Sequence, residues 1–387
     1  MDRDISQVPV PVSLRKKLYR AGFSKFDCFQ PSQAEKLSQE LEIKEEEAKR
    51  LVEKVRGYSW QTALDVFRPI TAFELLRREQ TARYISTGST RLDSILGGGI
   101  ALGRITEFSG VPGVGKTQLC LQLCVNVQTP ENLQGIHGEA VFIDTEGGFY
   151  LERIKDIAEG MIGQLSEHTD GRLKLDVDTI LKRIFYVRCH DFAEVVASVH
   201  QIEQMLNEEE TRIKLIIIDS IAAPFRYAFE NIALRSRILN GLMQTLVHIA
   251  VEKSVAVVVS NQMTTRINPG EEGQLIPALG TSWGHSCGTR VNLFWKNESR
   301  MAFLFKSPSQ PENMAPYTIT YSGIRDLSED LLTQLSQRRN SSTVDTEPDS
   351  DTTMIFMSSQ LANAETEPDL GEPETPALDI SGRVELD

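Results

Sequence analysis

The chain has 387 residues, 40% of them hydrophobic, so it can bury one sizeable core and a small accessory unit. Its acidic, polar start is unlike a secretory signal and no apolar run is long enough to span a bilayer, so we expect no membrane partner. The five cysteines are scattered without zinc-ligand spacing, which favours a reducing compartment, the nucleus or the cytosol.

The net charge of −13 is concentrated at one end of the chain. Fifteen acidic and three basic residues lie between Asp326 and Asp387, which leaves residues 1–325 almost neutral. The overall acidity therefore does not argue against a nucleic-acid-binding core, and the core shows no strong basic bias that would announce one.

Residues 1–56 contain apolar stripes at helical spacing, which predict a small N-terminal all-α domain. Its mixed charges leave two readings open, a weak DNA-backbone module or a packing and partner domain. Residues 57–83 carry many large apolar side chains for a connector and predict an interaction linker, although packing on the chain's own core explains them equally well.

Residues 84–325 predict an α/β core. Strands are expected at 105–108, 140–143, 184–187, 214–218, 255–259, 291–295, 302–305 and 317–321. Helical stretches separate the earlier strands, whereas the last three form an antiparallel-looking run. Residues 326–387 are rich in Ser, Thr, Pro and acidic residues and repeat Thr-Glu-Pro-Asp, so a disordered acidic tail is predicted there.

One stretch between a predicted strand and a predicted helix fits the phosphate-binding pattern G-x-x-x-x-G-K-[ST]. It consists of Gly110, Val111, Pro112, Gly113, Val114, Gly115, Lys116 and Thr117. The glycines let backbone N–H groups face phosphate oxygens, and the helix adds its positive N-terminal end. Lys116 is predicted to reach the β- and γ-phosphates and Thr117 to hold Mg²⁺. The stretch predicts a nucleoside triphosphate site, against the weaker alternative of a chance glycine-rich turn.

Three other predicted strands end in polar side chains. Asp219 closes a continuous apolar run, where a Walker B carboxylate takes up Mg²⁺ through water. Glu146 follows a buried strand, where it could polarise water that attacks the γ-phosphate. Gln262 could sense that phosphate, and the polar stretch 263–274 after it suits a mobile loop.

The order of these motifs is that of RecA-type P-loop ATPases. The stretches 92–99, 143–149, 261–265 and 277–285 resemble the eukaryotic RecA-like recombinases. The stretch 305–310, Phe-Lys-Ser-Pro-Ser-Gln, and the phosphate-binding sequence point within that family to the DNA-repair paralogues designated C. The resemblance runs from residue 12 to about residue 325 and implies a RecA-type core.

The resemblance implies roles at the phosphate site for five residues, of which all but Thr117 are predicted to be catalytic. Lys116 and Thr117 would bind ATP and Mg²⁺, and Asp219 would hold the metal through water. Glu146 would act as the general base. Gln262 would link the γ-phosphate to the DNA-facing loop.

The resemblance also implies contacts outside the phosphate site. Arg153 matches an arginine that contacts adenine, and His285 matches a residue that reaches ATP bound at the subunit interface. Arg226 stands at the start of the first DNA-binding loop, whereas Thr265 and Arg266 belong to the second.

Two departures from the family pattern bear on assembly. Family members that build long filaments on themselves carry a Phe-x-x-Ala linker, and Pro69 stands at the phenylalanine position here. The first DNA loop reads Glu-Asn-Ile-Ala at 230–233 in place of Gly-Arg-Gly. Both departures favour a helper that works in a complex of paralogues over autonomous filament growth.

The resemblance implies a nuclear DNA-dependent ATPase of homologous recombination and double-strand break repair. It would bind single-stranded and branched DNA and join other recombinase paralogues in a hetero-oligomer. It would load or remodel the filament of the main strand-exchange recombinase, and whether it also processes junctions stays open. An adaptor whose ATP is a structural ligand at a paralogue interface stays open as the alternative. A replicative-type helicase fits less well, because no self-assembly linker or large partner domain is recognisable.

Overall fold

The computed structural model describes residues 12–25, 28–41, 43–56, 71–169, 175–208, 211–226, 228–229, 231–266, 274–296 and 298–328. Pro69, Glu230, most of the predicted linker and nearly all of the predicted tail therefore lie outside the described residues. The chain divides into two compact units between Thr81 and Ala82. The predicted domain boundaries otherwise stay predictions.

The first unit is helical in its described residues. Its helices are α1 (Val12–Arg20), α2 (Ala34–Leu41), α3 (Glu45–Arg56) and α4 (Ala72–Gln80). Leu18, Phe29, Leu37 and Val55 are fully buried and hold α1, α2 and α3 around one small core. Short helices are thus present where the apolar stripes predict them.

The second unit is built on a nine-stranded sheet with strand order β13-β12-β11-β10-β3-β7-β6-β4-β5. Its strands are β3 (Ile105–Gly110), β4 (Glu139–Asp144), β5 (Ile184–Arg188), β6 (Ile213–Asp219), β7 (Ala256–Asn261), β10 (Thr289–Lys296), β11 (Ser299–Lys306), β12 (Asn313–Thr320) and β13 (Gly323–Arg325). Strands β10, β3, β7, β6, β4 and β5 run parallel, whereas β10 to β13 pair antiparallel. All eight predicted strands are confirmed, including the antiparallel run.

Helices cover both faces of this sheet. They are α5 (Thr90–Ile95), α6 (Lys116–Asn126), α7 (Leu151–His168), α8 (Val177–Leu181), α9 (Phe192–Met205), α10 (Ala223–Arg226), α11 (Ile232–Lys253) and α12 (Gly280–Ser286). One apolar core contains α6 and the other contains α11. Strand β6 is apolar except at Lys214 and Asp219, and its apolar side chains are buried in both cores. No helix of the described residues combines the length and apolar character that crossing a bilayer needs.

The structure corrects the sequence prediction at two places. Met263–Arg266 (β8) pairs antiparallel with Gln274–Pro277 (β9). The first and last residues of the predicted loop 263–274 therefore belong to the two strands of a hairpin. The described core also continues to Ser328, because Leu327 is buried and Asp326 accepts a hydrogen bond from Ser89 Oγ at 2.5 Å. The predicted tail therefore begins a few residues too early. The two-residue pair β1 (Tyr84–Ile85) and β2 (Ile100–Ala101) was not predicted.

The strand order brings the predicted site together. Strands β3, β7, β6 and β4 are neighbours and parallel, so their carboxyl ends meet at one edge of the sheet. The phosphate-binding loop, Gln262, Asp219 and Glu146 follow or close these four strands.

Candidate active site

The phosphate-binding loop turns sharply between β3 and α6. Gly115 is the residue before α6 and has a φ of 115°, a conformation that side-chain-bearing residues rarely adopt. A Cβ atom at Gly115 would also lie 2.6 Å from Ile319 Cδ1 on β12. Glycine is therefore required there, and the turn directs the N–H groups of the first turn of α6 into the cleft.

Lys116 lies across the mouth of this loop. Its Nζ donates hydrogen bonds to the carbonyl oxygens of Gly110 at 2.7 Å and Val111 at 3.1 Å. Burial lowers the pKa of Lys116 from its usual 10.5, against the opposing effect of the charges on Asp219 and Glu146. The ammonium group is thus held beside the loop, where it can exchange carbonyl partners for phosphate oxygens.

Asp219 and Thr117 form an oxygen pair on the floor of the cleft. Asp219 is 5% exposed, and its carboxylate accepts hydrogen bonds from the hydroxyls of Ser260 and Thr117. Burial raises the pKa of Asp219, whereas these hydrogen bonds lower it. A hydroxyl beside a carboxylate fits Mg²⁺, which is commonly bound by one or two protein oxygens plus substrate phosphates and water.

The turn that carries Glu146 is organised by Asp144, the last residue of β4. The buried Asp144 carboxylate accepts hydrogen bonds from the backbone N–H groups of Glu146 (3.1 Å), Gly147 (2.6 Å), Gly148 (3.2 Å) and Phe149 (3.3 Å). It also accepts hydrogen bonds from the Arg188 guanidinium at 3.1 Å and the Tyr186 hydroxyl at 3.2 Å. Asp144 therefore fixes the direction in which Glu146 leaves the strand.

Glu146 and Gln262 are joined directly. Glu146 Oε1 accepts hydrogen bonds from Gln262 Nε2 and from Ser220 Oγ, both at 2.5 Å. Arg226 Nη1 donates to Gln262 Oε1 at 2.8 Å. The candidate base and the candidate phosphate sensor are thus linked in one hydrogen-bonded chain, and Arg226 closes that chain inside the cleft.

The other predicted contact residues lie around this centre. Arg153 donates to the Thr320 carbonyl at 2.7 Å, to the Tyr321 carbonyl and to Gln118 Oε1 at 2.6 Å, so it holds the β12–β13 turn beside the cleft. His285 is exposed on α12 and does not line its own chain's cleft.

Thr265 and Arg266 lie on β8, directly after Gln262 and Met263. Thr265 is exposed and pairs with Leu275 across the hairpin. Arg226 lines the cleft rather than standing apart from it. The DNA-contacting roles of these three residues stay predictions.

The residues gathered here enclose a cleft of about 560 Å³. Its lining consists of Gly110, Pro112, Gly113, Gly115, Lys116, Thr117, Gln118, Glu146, Asp219, Arg226, Gln262, Met263, Arg300 and Ile319. The lining contains both basic and acidic side chains, which suits an anionic ligand that carries a metal cation. All four predicted catalytic residues share this cleft.

Sequence reasoning missed several residues that shape the cleft. Asp144, Ser220 and Ser260 bond the predicted residues in place, and Arg300 lines the cleft from β11. A polar residue at the end of a buried strand is the one signal that could have found Asp144 and Ser260. No local pattern marks Ser220 or Arg300, because their roles arise from strand neighbours far away in the sequence.

Comparisons with known proteins agree with this geometry. The Rad51 family model matches residues 77–327. A Cricetulus griseus protein named DNA repair protein RAD51 homolog 3 is 41% identical over 341 residues, which cover 84% of this chain and 93% of that protein. A Dictyostelium discoideum protein of the same name is 40% identical over 266 residues, 67% of this chain and 70% of that protein.

A more distant relative is also similar over most of its length. The DNA repair and recombination protein RadA of Aeropyrum pernix is 35% identical over 332 residues, which cover 84% of this chain and 97% of that protein. The chain therefore belongs to the Rad51 family of RecA-like ATPases, as its sequence motifs predicted.

Proposed function

We propose that the chain is an ATP-dependent DNA-binding protein of homologous recombination and double-strand break repair. In this proposal it acts with other recombinase paralogues to load or remodel the main recombinase's filament on single-stranded DNA. The observation that carries it is the bond between Glu146 and Gln262, because Gln262 lies one residue before the β8–β9 hairpin. A change at the γ-phosphate can therefore reach the hairpin through a single residue.

The residues of the cleft supply the parts that ATP hydrolysis needs. Lys116 and the N–H groups of the loop would bind the phosphates, and Thr117 and Asp219 would hold Mg²⁺. Bound Mg²⁺ neutralises charge on the phosphate oxygens. Glu146 would accept the proton of the attacking water, while its bonds to Ser220 and Gln262 keep its carboxylate oriented.

DNA contact is assigned to the residues around the hairpin. Thr265 and Arg266 lie on β8, which begins next to the cleft residue Gln262. Arg226 lines the cleft, and its guanidinium bonds Gln262, so a movement of Gln262 would change the position of Arg226. Single-stranded DNA is the proposed ligand, and assays with branched DNA and junctions test whether the chain also binds or processes them. The relatives' names, which contain DNA repair and recombination, support this assignment.

The partners we propose are other recombinase paralogues in a defined hetero-oligomer, and the main strand-exchange recombinase. His285, exposed on α12, would complete the ATP site of a neighbouring subunit. The nucleus is the proposed location because the proposed DNA substrate is chromosomal, and the scattered cysteines also allow the cytosol. Fluorescence imaging of the tagged chain after DNA damage would test the location.

The enzymatic proposal is tested by ATP hydrolysis with and without single-stranded DNA, alone and with candidate paralogues. Glu146→Gln keeps an oxygen that can accept the bonds from Ser220 and Gln262 but removes the base. We expect ATP binding to persist and DNA-stimulated hydrolysis to fall by about a hundredfold or more. Equal hydrolysis rates in this variant and the wild type would exclude Glu146 as the base.

The adaptor alternative predicts a different pattern. If ATP is only a structural ligand, the Glu146→Gln variant restores repair fully in cells that lack the wild-type protein. The Lys116→Ala variant does not, because it weakens ATP binding. If Glu146→Gln fails to restore repair while its complex with paralogues stays intact, hydrolysis is required and the adaptor is excluded.

A further inference from the structure

Arg300 stands at the start of β11, on the side of the sheet that carries the phosphate-binding loop. It pairs across strands with Trp295 on β10 and with Tyr317 on β12, so the three form one row. The Tyr317 hydroxyl donates a hydrogen bond to the carbonyl oxygen of Val114 at 2.9 Å. This row therefore lies against the loop, and Arg300 lines the same cleft as Pro112 and Gly113.

Among the described residues, the Arg300 guanidinium is positioned by a ring contact rather than by a hydrogen bond. Its Cζ lies 4.2 Å from the centroid of the Trp295 ring, within the range of a cation–π contact. Its Nε is buried and has no hydrogen-bond partner among the described residues. The terminal N–H groups of this side chain, rather than the buried Nε, are the donors that a ligand in the cleft would meet.

The other charged side chains of the cleft are already engaged. Lys116 bonds two carbonyl oxygens, Arg226 bonds Gln262, and Glu146 and Asp219 each accept hydroxyl donors. In the described part of the cleft, Arg300 is thus the charged group that has no bonded partner. Its positive charge faces the same space as the phosphate-binding loop.

We propose that Arg300 is a further nucleotide-binding residue, which donates hydrogen bonds to the phosphate oxygens of ATP from a position fixed by Trp295. This inference rests on the proposed ATP site. Guanidinium groups match phosphate oxygens in charge and geometry, and stacking on an aromatic ring keeps the planar group oriented before the ligand arrives. Trp295 is a positioning residue in this arrangement, because it acts through Arg300.

Nucleotide affinity of the full chain tests the proposal directly. A fluorescent ATP analogue is titrated in the presence of Mg²⁺ and displaced by ATP or by inorganic triphosphate. For Arg300→Gln we expect both competitors to bind about ten- to a hundredfold more weakly. Arg300→Lys keeps the charge but loses the planar guanidinium group, so its affinities should lie between those of Arg300→Gln and the wild type.

Displacement by inorganic triphosphate shows whether Arg300 contacts the phosphates or the base and ribose. If ATP binds more weakly to Arg300→Gln while inorganic triphosphate is unaffected, Arg300 does not contact the phosphates and the proposal is wrong. Arg91→Gln is the matched control, since Arg91 is exposed on α5 outside the cleft, and it should leave both affinities unchanged.

Trp295 provides a second, independent variant. Trp295→Leu should weaken the binding of both competitors several-fold. The double variant Trp295→Leu/Arg300→Gln should bind them no more weakly than Arg300→Gln alone, because the tryptophan acts only through the arginine. Additive losses would contradict the positioning role. Melting temperatures without nucleotide identify any variant that fails to fold, and the remaining variants then decide the question.

The outcomes also separate this inference from the proposed function. If the wild-type chain does not bind ATP, the proposed ATP site is wrong. If the wild type binds ATP, Lys116→Ala weakens that binding, and Arg300→Gln binds like the wild type, then only the role of Arg300 is wrong.

Discussion

Asp219 shows how a residue suited to binding a metal can lower the stability of the protein without that metal. Its carboxylate is 5% exposed and its pKa is raised by burial, so its charge is unfavourable until a cation arrives. The hydroxyls of Ser260 and Thr117 offset part of that cost without neutralising it. The site is thus prepared for a metal at the expense of stability.

Asp219→Asn should separate these two effects. The amide keeps an oxygen for the Ser260 hydroxyl and carries no charge, so we expect the melting temperature without nucleotide to stay level or rise. The rise in melting temperature that Mg²⁺ and ATP produce in the wild type should be lost. Thermal melting with and without Mg²⁺–ATP measures both, and a large drop in the variant without nucleotide would contradict the burial argument.

At the scale of the element, the Glu146 turn depends on a single carboxylate. Asp144 accepts hydrogen bonds from four consecutive backbone N–H groups and from Arg188, which is 33% exposed. An asparagine has one oxygen instead of two, and its N–H₂ group would face donors. The turn would lose the acceptor that determines its path.

We therefore expect Asp144→Asn to lower the free energy of unfolding by about 3 kcal/mol, because several charge-assisted hydrogen bonds are lost together. ATP hydrolysis should fall with it. Asp191→Asn is the control, since Asp191 caps α9 through the Glu194 N–H and asparagine caps helices nearly as well. Urea unfolding of both variants gives the comparison, and equal stabilities would show that Asp144 does not organise the turn.

A buried ion pair connects the strand before the phosphate-binding loop to the strands beside it. Glu107 on β3 accepts a hydrogen bond from Arg290 Nε on β10 at 2.5 Å and another from Asn261 Nδ2 on β7 at 2.5 Å. Trp283 on α12 also donates to Glu107, at 3.3 Å. One carboxylate therefore ties three strands to the helix that carries His285.

Glu107→Gln should destabilise the second unit by about 3 kcal/mol, because it leaves the Arg290 charge buried without its counter-charge. The double variant Glu107→Gln/Arg290→Gln should lose less than the sum of the two single losses, since two amides can bond each other. Glu131→Gln is the control, because its pair with Arg83 is exposed and should be worth under about 1 kcal/mol. Equal losses at Glu107 and Glu131 would contradict the argument.

The same elements show what the sequence could predict. Buried strands appear in the sequence as apolar runs, so all eight predicted strands could be located. The residues that close or follow β4, β6 and β7 could be located with them. The hairpin of β8 and β9 could not, because its two strands have four residues each and are only partly buried, so neither is an apolar run. The contacts of Glu107 and Arg300 could not either, since their partners lie on strands that only the fold makes neighbours.

At the scale of the whole molecule, the acidic part of the sequence begins close to the end of the described core. Most of the net charge of −13 lies after residue 325. Asp326 is nevertheless part of the core, because its carboxylate accepts hydrogen bonds from Ser89 Oγ at 2.5 Å and from the N–H groups of Thr90 and Arg91 at 3.1 and 3.0 Å. Leu327 is 6% exposed. The last described residues thus fasten the start of α5.

Two truncations should therefore differ sharply. A chain ending after Ser328 should unfold like the full chain, whereas one ending after Arg325 should lose about 2–3 kcal/mol through the bonds of Asp326 and the burial of Leu327. Burial acts to raise the pKa of Asp326, but the bonds from Ser89, Arg91 and Thr90 outweigh it and hold that pKa below 3.8. A carboxyl with a lowered pKa stabilises the fold above its unfolded pKa and loses that contribution in acid, so the gap between the truncations should narrow as the pH falls below about 4. Urea unfolding from pH 7 downward measures the gap, and two truncations of equal stability at pH 7 would show that Asp326 and Leu327 do not belong to the core.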